Sequence, residues 1–178
     1  MVLQGAVSPE REGRGPHIFI PMPTGDPSGD HPDLPIKPPL IFVIAMAIGL
    51  AAHWLWPVSV RPPGWWGFGV AVIAFGLTLM LWSALLFRRN DTAVRPWLPT
   101  RVIVTKGPYS QTRNPIYLGF ALVQLGVGLW SDRLAVVLMV IPAVAATNAW
   151  VIAREERYLA RKFGEPYLGY TRRVRRWL

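Results

Sequence analysis

The sequence predicts an all-α integral membrane bundle of four transmembrane helices, the third and fourth forming a helical hairpin. Three observations carry that prediction. Hydrophobic residues make up 52% of the 178 and charged ones 16%, a balance too apolar for an ordinary soluble domain. The charge is gathered into blocks between long uncharged stretches, whereas a soluble nucleic-acid binder spreads its Lys and Arg over a polar surface, so no nucleic acid is expected as a partner. The formal charge of +9 is also biased to one side: of the 19 Lys and Arg, all but Arg61 and Arg133 precede the first apolar run, lie in the central polar stretch or follow the last run. The lack of cysteine removes disulfides, thiolate metal sites and a cysteine nucleophile. His17, His31 and His53 are too scattered to make a ligand set, so no metal site is expected.

Residues 1–38 are rich in Pro and Gly, carry Asp and Glu, and hold few large apolar groups, which predicts a disordered cytoplasmic arm. Within it "HIFIPMP", 17–23, is either sticky linker or a patch that docks on the membrane or covers a pocket. With no basic n-region ahead of an apolar h-region, the first span is expected to direct insertion itself. A single membrane domain over 39–178 follows. Its first span, 39–60, is uncharged and long enough at ~1.5 Å per residue to reach across ~30 Å of hydrocarbon. Trp54 and Trp56 near its end, and Trp65 and Trp66 beyond "RPPG", suit the interface. The second span, 65–87, ends at Arg88 and Arg89, and a polar stretch runs over 88–114. A third apolar segment, 115–130, is short for a span; "SDR" at 131–133 turns the chain into a fourth, 134–153. Gly119, Gly126 and Gly128 would let a helix or a ligand approach the backbone, and Pro142 should bend the fourth helix. Asn148 is placed for an interhelical hydrogen bond or a substrate contact. The charge bias puts both termini and the central loop in the cytoplasm, so loop and tail can converge on one side.

The loop reads "RVIVTKGPYSQTRNPIYLG", 101–119. Gly107 and Pro108 suit a tight turn, Asn114 before Pro115 should be held extended, and Pro115 suits the first position of a helix. A helix N-terminus beside Arg113 should attract a carboxylate. Read blandly, Arg113 is one more cytoplasmic base and Tyr109 and Tyr117 are interface aromatics. Beyond the fourth span a cytosolic helix and tail are expected over 154–178; Glu155 and Glu156 leave the membrane on that extension of the fourth helix and have no base three or four residues away in either direction. An unpaired carboxylate at the membrane surface is disfavoured, so each needs a cationic or hydroxyl partner from elsewhere, or pairs with adjacent Arg154 or Arg157 through a kinked turn or with loop arginines. Phe163, Tyr167, Tyr170 and Trp177 alternate with Arg172, Arg173, Arg175 and Arg176, which fits a short helix lying on an anionic membrane face.

With "VTKGPYSQTRNPIYLG" and "EERYLARKFGEPYLGYTRRV" joined by an apolar hairpin, roughly 100–176 resembles the isoprenylcysteine carboxyl methyltransferase and phospholipid methyltransferase family of integral-membrane enzymes. The resemblance rests on a GPY turn, an R-[HN]-P-x-Y-x-G helix start, and E-E-x-x-L followed by F-G-x-x-Y-x-x-Y. It implies S-adenosylmethionine as cofactor, held at the cytosolic face between loop and tail, and methylation of a lipophilic acceptor that enters from the bilayer. Position by position it implies that Gly107, Tyr109, Asn114, Pro115, Tyr117, Leu118, Glu155 and Glu156 bind the cofactor, with Arg113 and Glu156 catalytic and Arg154 and Tyr170 toward the acceptor. The family usually has His where this chain has Asn114, which cannot titrate, so binding is the role left to it. The acceptor could be a prenylated cysteine carboxylate, a phospholipid amine or another small hydrophobic molecule taking methyl on O, N or S. An NADPH-dependent sterol-type membrane reductase shares the R-H-P-x-Y pattern but continues with Gly-Glu where this chain has Leu118 and Gly119. A non-enzymatic membrane scaffold is the remaining alternative. In a bacterium the inner membrane is the expected location.

Overall fold

The structure, a computed structural model, describes residues 36–60, 62, 64–89 and 103–178. The arm up to residue 35, with its "HIFIPMP" stretch, and 90–102 of the central loop lie outside the described residues. Among the described residues the architecture is all helical, with no strand and one isolated parallel bridge between Thr112 and Arg175. Three helices among the described residues are long and apolar enough to cross a membrane, over Pro38–Leu55, Trp66–Arg88 and Leu134–Phe163.

Helix α1 (Pro38–Leu55) begins at two prolines, which lose nothing in a first turn whose N–H groups have no intrahelical acceptor. It stops five residues short of the expected 60. Trp56 precedes Pro57 and is forced out of the helical region, to φ −134° and ψ 86°. Helix α2 (Trp66–Arg89) closely follows the expected span. Helix α3 covers Pro115–Trp130 as expected, and its 16 residues reach about 24 Å, short of the hydrocarbon thickness.

The fourth segment departs from the expected single helix over 134–153. Helix α4 (Leu134–Leu138) breaks at Met139, because Pro142 cannot donate a hydrogen bond back to the Leu138 carbonyl, and α5 (Val140–Ala146) resumes. A π-helical turn over Thr147–Ile152 follows, in which Ala153 N–H reaches back to the Asn148 carbonyl. Helix α6 (Ala153–Phe163) then continues the same column, the expected extension of the fourth span that carries Glu155 and Glu156. Gly164, with φ 58°, admits the turn into α7 (Glu165–Arg173).

Helix α3 lies between α2 on one side and α1 with α4 and α5 on the other. The α2–α3 seam is made by glycines one heptad apart on each helix. A Cβ at Gly76 would stand 2.9 Å from the Gly119 carbonyl oxygen, and one at Gly126 would stand 2.8 Å from that of Gly69. Gly128 lets α4 come as close, with a Cβ there 2.9 Å from Val137 N. The glycines that leave room for a helix or a ligand therefore receive helices. At the end of the bundle where α3 stops, Val60 N–H donates to Asp132 Oδ1 (2.8 Å) and Leu134 N–H to the Val58 carbonyl (3.1 Å). The opposite end, where α3 begins, carries the polar site.

Candidate functional site

Three pieces of backbone build this end of the molecule. The first is the loop leading into α3. Gly107, at φ 61°, opens a 3₁₀ turn over Gly107–Ser110, and Tyr109 turns inward, its ring edge-to-face with Phe87 at 5.2 Å between centroids. The Tyr170 hydroxyl donates to the Tyr109 carbonyl (2.7 Å) and so ties α7 to the loop. Burial pushes the Tyr109, Tyr167 and Tyr170 phenols above their ordinary range, which keeps them protonated. Phe163, Tyr167 and Tyr170 form one buried cluster with Ile103, Leu159 and Val174. The tail aromatics therefore do not lie on a membrane face as expected; the bend at Gly164 folds them against the loop.

The second piece is α6. Its first turn presents Glu155 and Glu156, and each finds the kind of partner its own helix withholds. The Tyr117 hydroxyl donates to Glu155 Oε1 at 2.9 Å. Arg113 Nη2 stands 3.2 Å from Glu156 Oε1, the two side chains only 15% and 16% exposed. Loop, α3 start and α6 thus converge around these carboxylates. Among the described residues Glu155 makes no ion pair, whereas Glu156 makes two. Arg113 Nε is buried without a hydrogen-bond partner.

The third piece is the extended strap Val174–Trp177. Arg113 N–H donates to the Arg175 carbonyl (3.0 Å), and the Asn114 Nδ2 and Thr112 hydroxyl groups both donate to the Arg176 carbonyl (2.8 and 3.2 Å). The Arg176 side chain takes Glu156 with Nε (3.1 Å) and Nη2, and reaches Asn148 Oδ1 on the π turn with Nη1 (3.1 Å). Asn148 therefore bonds the strap. Trp177 packs against the helix core. Of the remaining residues singled out in the sequence, Pro115 is the first residue of α3 and Leu118 N–H caps back to the Asn114 carbonyl. Arg154 lies half-buried on the first turn of α6. Arg176 and Thr112 carry no mark in the sequence that sets them apart. The one available signal is the i,i+2 placing of Val174 and Arg176, which fits an extended segment.

Apolar helices of spanning length, ending in a polar cluster joined across the chain, define an integral membrane protein with one chemically equipped end. Residues 65–166, more than half of the chain, match the family described as phospholipid methyltransferase, and the chain belongs to that family. The match takes in all of α2, which carries none of the motifs behind the resemblance, and stops before the strap. A cobalt-zinc-cadmium resistance protein of Cupriavidus metallidurans, CzcN, is 31% identical over 137 residues, covering 76% of this chain and 58% of that protein. The chain thus spans under two thirds of that relative's length. An uncharacterized protein of Haemophilus influenzae is 43% identical over 63 residues, which are 35% of this chain and all of the other.

Proposed function

We propose that this protein transfers the methyl group of S-adenosylmethionine to a lipophilic acceptor at the cytosolic membrane face. In this reading 39–178 is the methyltransferase domain and four segments cross the bilayer. Both termini are cytoplasmic, and the site forms between the central loop and the tail. The observation that carries the reading is the convergence of Arg113 and Tyr117 on Glu156 and Glu155, at the end of the bundle where the bases gather.

The residues present suit that cofactor. Arg113 Nε, buried and unpartnered, is a donor that a ligand carboxylate would satisfy. Glu155, with a phenol as its polar partner, suits an ammonium or ribose hydroxyls. Glu156 acts by fixing the guanidinium groups around it. When bound, S-adenosylmethionine supplies a methyl made electrophilic by its sulfonium. The share of this chain is to hold, align and keep water from the reacting groups. Gly107, Tyr109, Asn114, Pro115, Tyr117 and Leu118 would form the loop side of the cofactor site. Asn114 cannot move a proton, and its amide is engaged with the strap. Arg154 is the residue for an anionic acceptor head, and the buried ring of Tyr170 contributes shape, since its hydroxyl is engaged. An isoprenylcysteine carboxylate needs little base, while a phospholipid amine needs one, for which Glu155 stands ready.

Titration of the protein in lipid nanodiscs with S-adenosylhomocysteine and with NADPH tests the reading. The expected result is binding of the first and not the second, with Arg113→Ala weakening it by about ten- to a hundredfold. Binding of NADPH alone overturns the proposal. Incubating membranes with a labelled methyl donor then identifies the acceptor by whether label enters lipid, protein or volatile product.

A further inference from the structure

Two guanidinium groups share the single carboxylate of Glu156, and they share it unequally. Arg176 grips it as a fork, with Nε and Nη2 on the two oxygens, and is itself held by Asn148 Oδ1 and, through its carbonyl, by Asn114 and Thr112. Arg113 makes one contact, at 3.2 Å, and keeps a buried Nε with no partner. Bidentate arginine–carboxylate pairing is the stronger geometry. Glu156 is therefore engaged chiefly by Arg176, and Arg113, held by a single contact, keeps hydrogen-bonding capacity to spare.

We propose that Arg176 is a positioning residue that occupies Glu156 so that Arg113 is free to hold the carboxylate of the methyl donor. The assignment rests on the methyltransferase reading above and adds a residue outside the matched family region, which ends at 166. It makes the strap part of ligand discrimination as well as of the fold. Without Arg176, Glu156 turns wholly to Arg113, and an incoming carboxylate must compete with a carboxylate already in place.

The test compares two ligands on the full chain in nanodiscs. S-adenosylhomocysteine carries the amino-acid carboxylate; 5′-methylthioadenosine keeps adenosine and sulfur and lacks it. The wild type is expected to prefer the first by about ten- to a hundredfold. Arg176→Ala should contract that preference by about tenfold while affinity for 5′-methylthioadenosine stays unchanged, and Arg176→Lys, which keeps the charge without the fork, should fall between. The double variant Glu156→Gln with Arg176→Ala should regain the preference, since no carboxylate is then left to occupy Arg113. A strap that served the fold alone would weaken both ligands in proportion, and that outcome overturns the proposal. So does a double variant that fails to regain the preference. If the wild type binds neither nucleoside, the methyltransferase reading itself falls, a result distinct from binding with unaltered preference in Arg176→Ala, which sinks only the role of Arg176.

Discussion

The flank of α3 and its start are held by different physics. Along its length α3 meets α2 through Gly69, Gly76, Gly119 and Gly126, at backbone distances that no side chain can enter. At its start, Asn114 is hydrogen-bonded to the strap, and Arg113 and Tyr117 make directional bonds to the carboxylates of α6. Close packing of small residues is how helices associate where lipid removes the hydrophobic drive between them; it is specific in shape and offers a ligand nothing to exchange. The polar end consists of hydrogen bonds, which ligand groups can replace one for one. The contrast separates a frame from a site. Substitutions in the seam should act on stability first, and those at the rim on ligand affinity first.

The strongest challenge to that division is Gly126→Leu. Its Cβ would lie 2.7 Å from Ile73 Cγ1 and 2.8 Å from the Gly69 carbonyl, so α2 and α3 must part. The cost expected is about 3 kcal/mol or more. Thermal unfolding in detergent should show a large drop in Tm or loss of the monodisperse species; a Tm within a degree of wild type would deny the seam its role. Next in size is Glu156→Ala, which leaves Arg113 and Arg176 facing each other without their shared counter-ion. A loss of about 1–3 kcal/mol is expected, less than for a fully enclosed pair because both side chains retain some exposure. Smaller again is Tyr117→Phe, which keeps the ring in the core and deletes the one hydroxyl bound to Glu155. About 1 kcal/mol of stability and a several-fold loss of S-adenosylhomocysteine affinity are expected. A loss of stability with no change in affinity would move Tyr117 from the site to the frame.

Frame and site differed in how far the amino-acid sequence disclosed them. The limits of α3 were legible because Pro115 can only start a helix and Ser131–Arg133 turns the chain. The end of α1 was misjudged by five residues: apolar length outweighed the local rule that the residue before Pro57 leaves the helix. The run of the fourth helix past Ala153, carrying Glu155 and Glu156 out of the apolar stretch, was legible because an amphipathic helix continues readily into water, whereas the π turn beneath it has no marker in composition. At the site, the need of Glu155 and Glu156 for partners from elsewhere followed from the empty positions one turn away, and a hydroxyl and two arginines supply them. A loop arginine was among the expected partners, and Arg113 fills that place; which tail arginine joins it could not be read. Arg172, Arg173, Arg175 and Arg176 look alike in a basic run, and the extended turn after Arg173 alone directs Arg176 inward.

The smallest expected effect concerns Asn114, which sits on the boundary between frame and site. Its Nδ2 donates to the Arg176 carbonyl, its own N–H donates to the Thr112 hydroxyl at 3.2 Å, and its carbonyl receives Leu118 N–H in the first turn of α3. The two backbone bonds survive replacement by alanine, so Asn114→Ala removes one hydrogen bond and should cost about 0.5–1.5 kcal/mol. Asn114→His keeps a ring N–H that can reach the same carbonyl and should lie closer to wild type. If this position serves only to fasten the strap, methyl transfer by the histidine variant should show the same pH profile as wild type between pH 6 and 8, although an imidazole titrates there. A new inflection in that range would mean that position 114 communicates with the reacting groups, and that the strap bond understates what the side chain does.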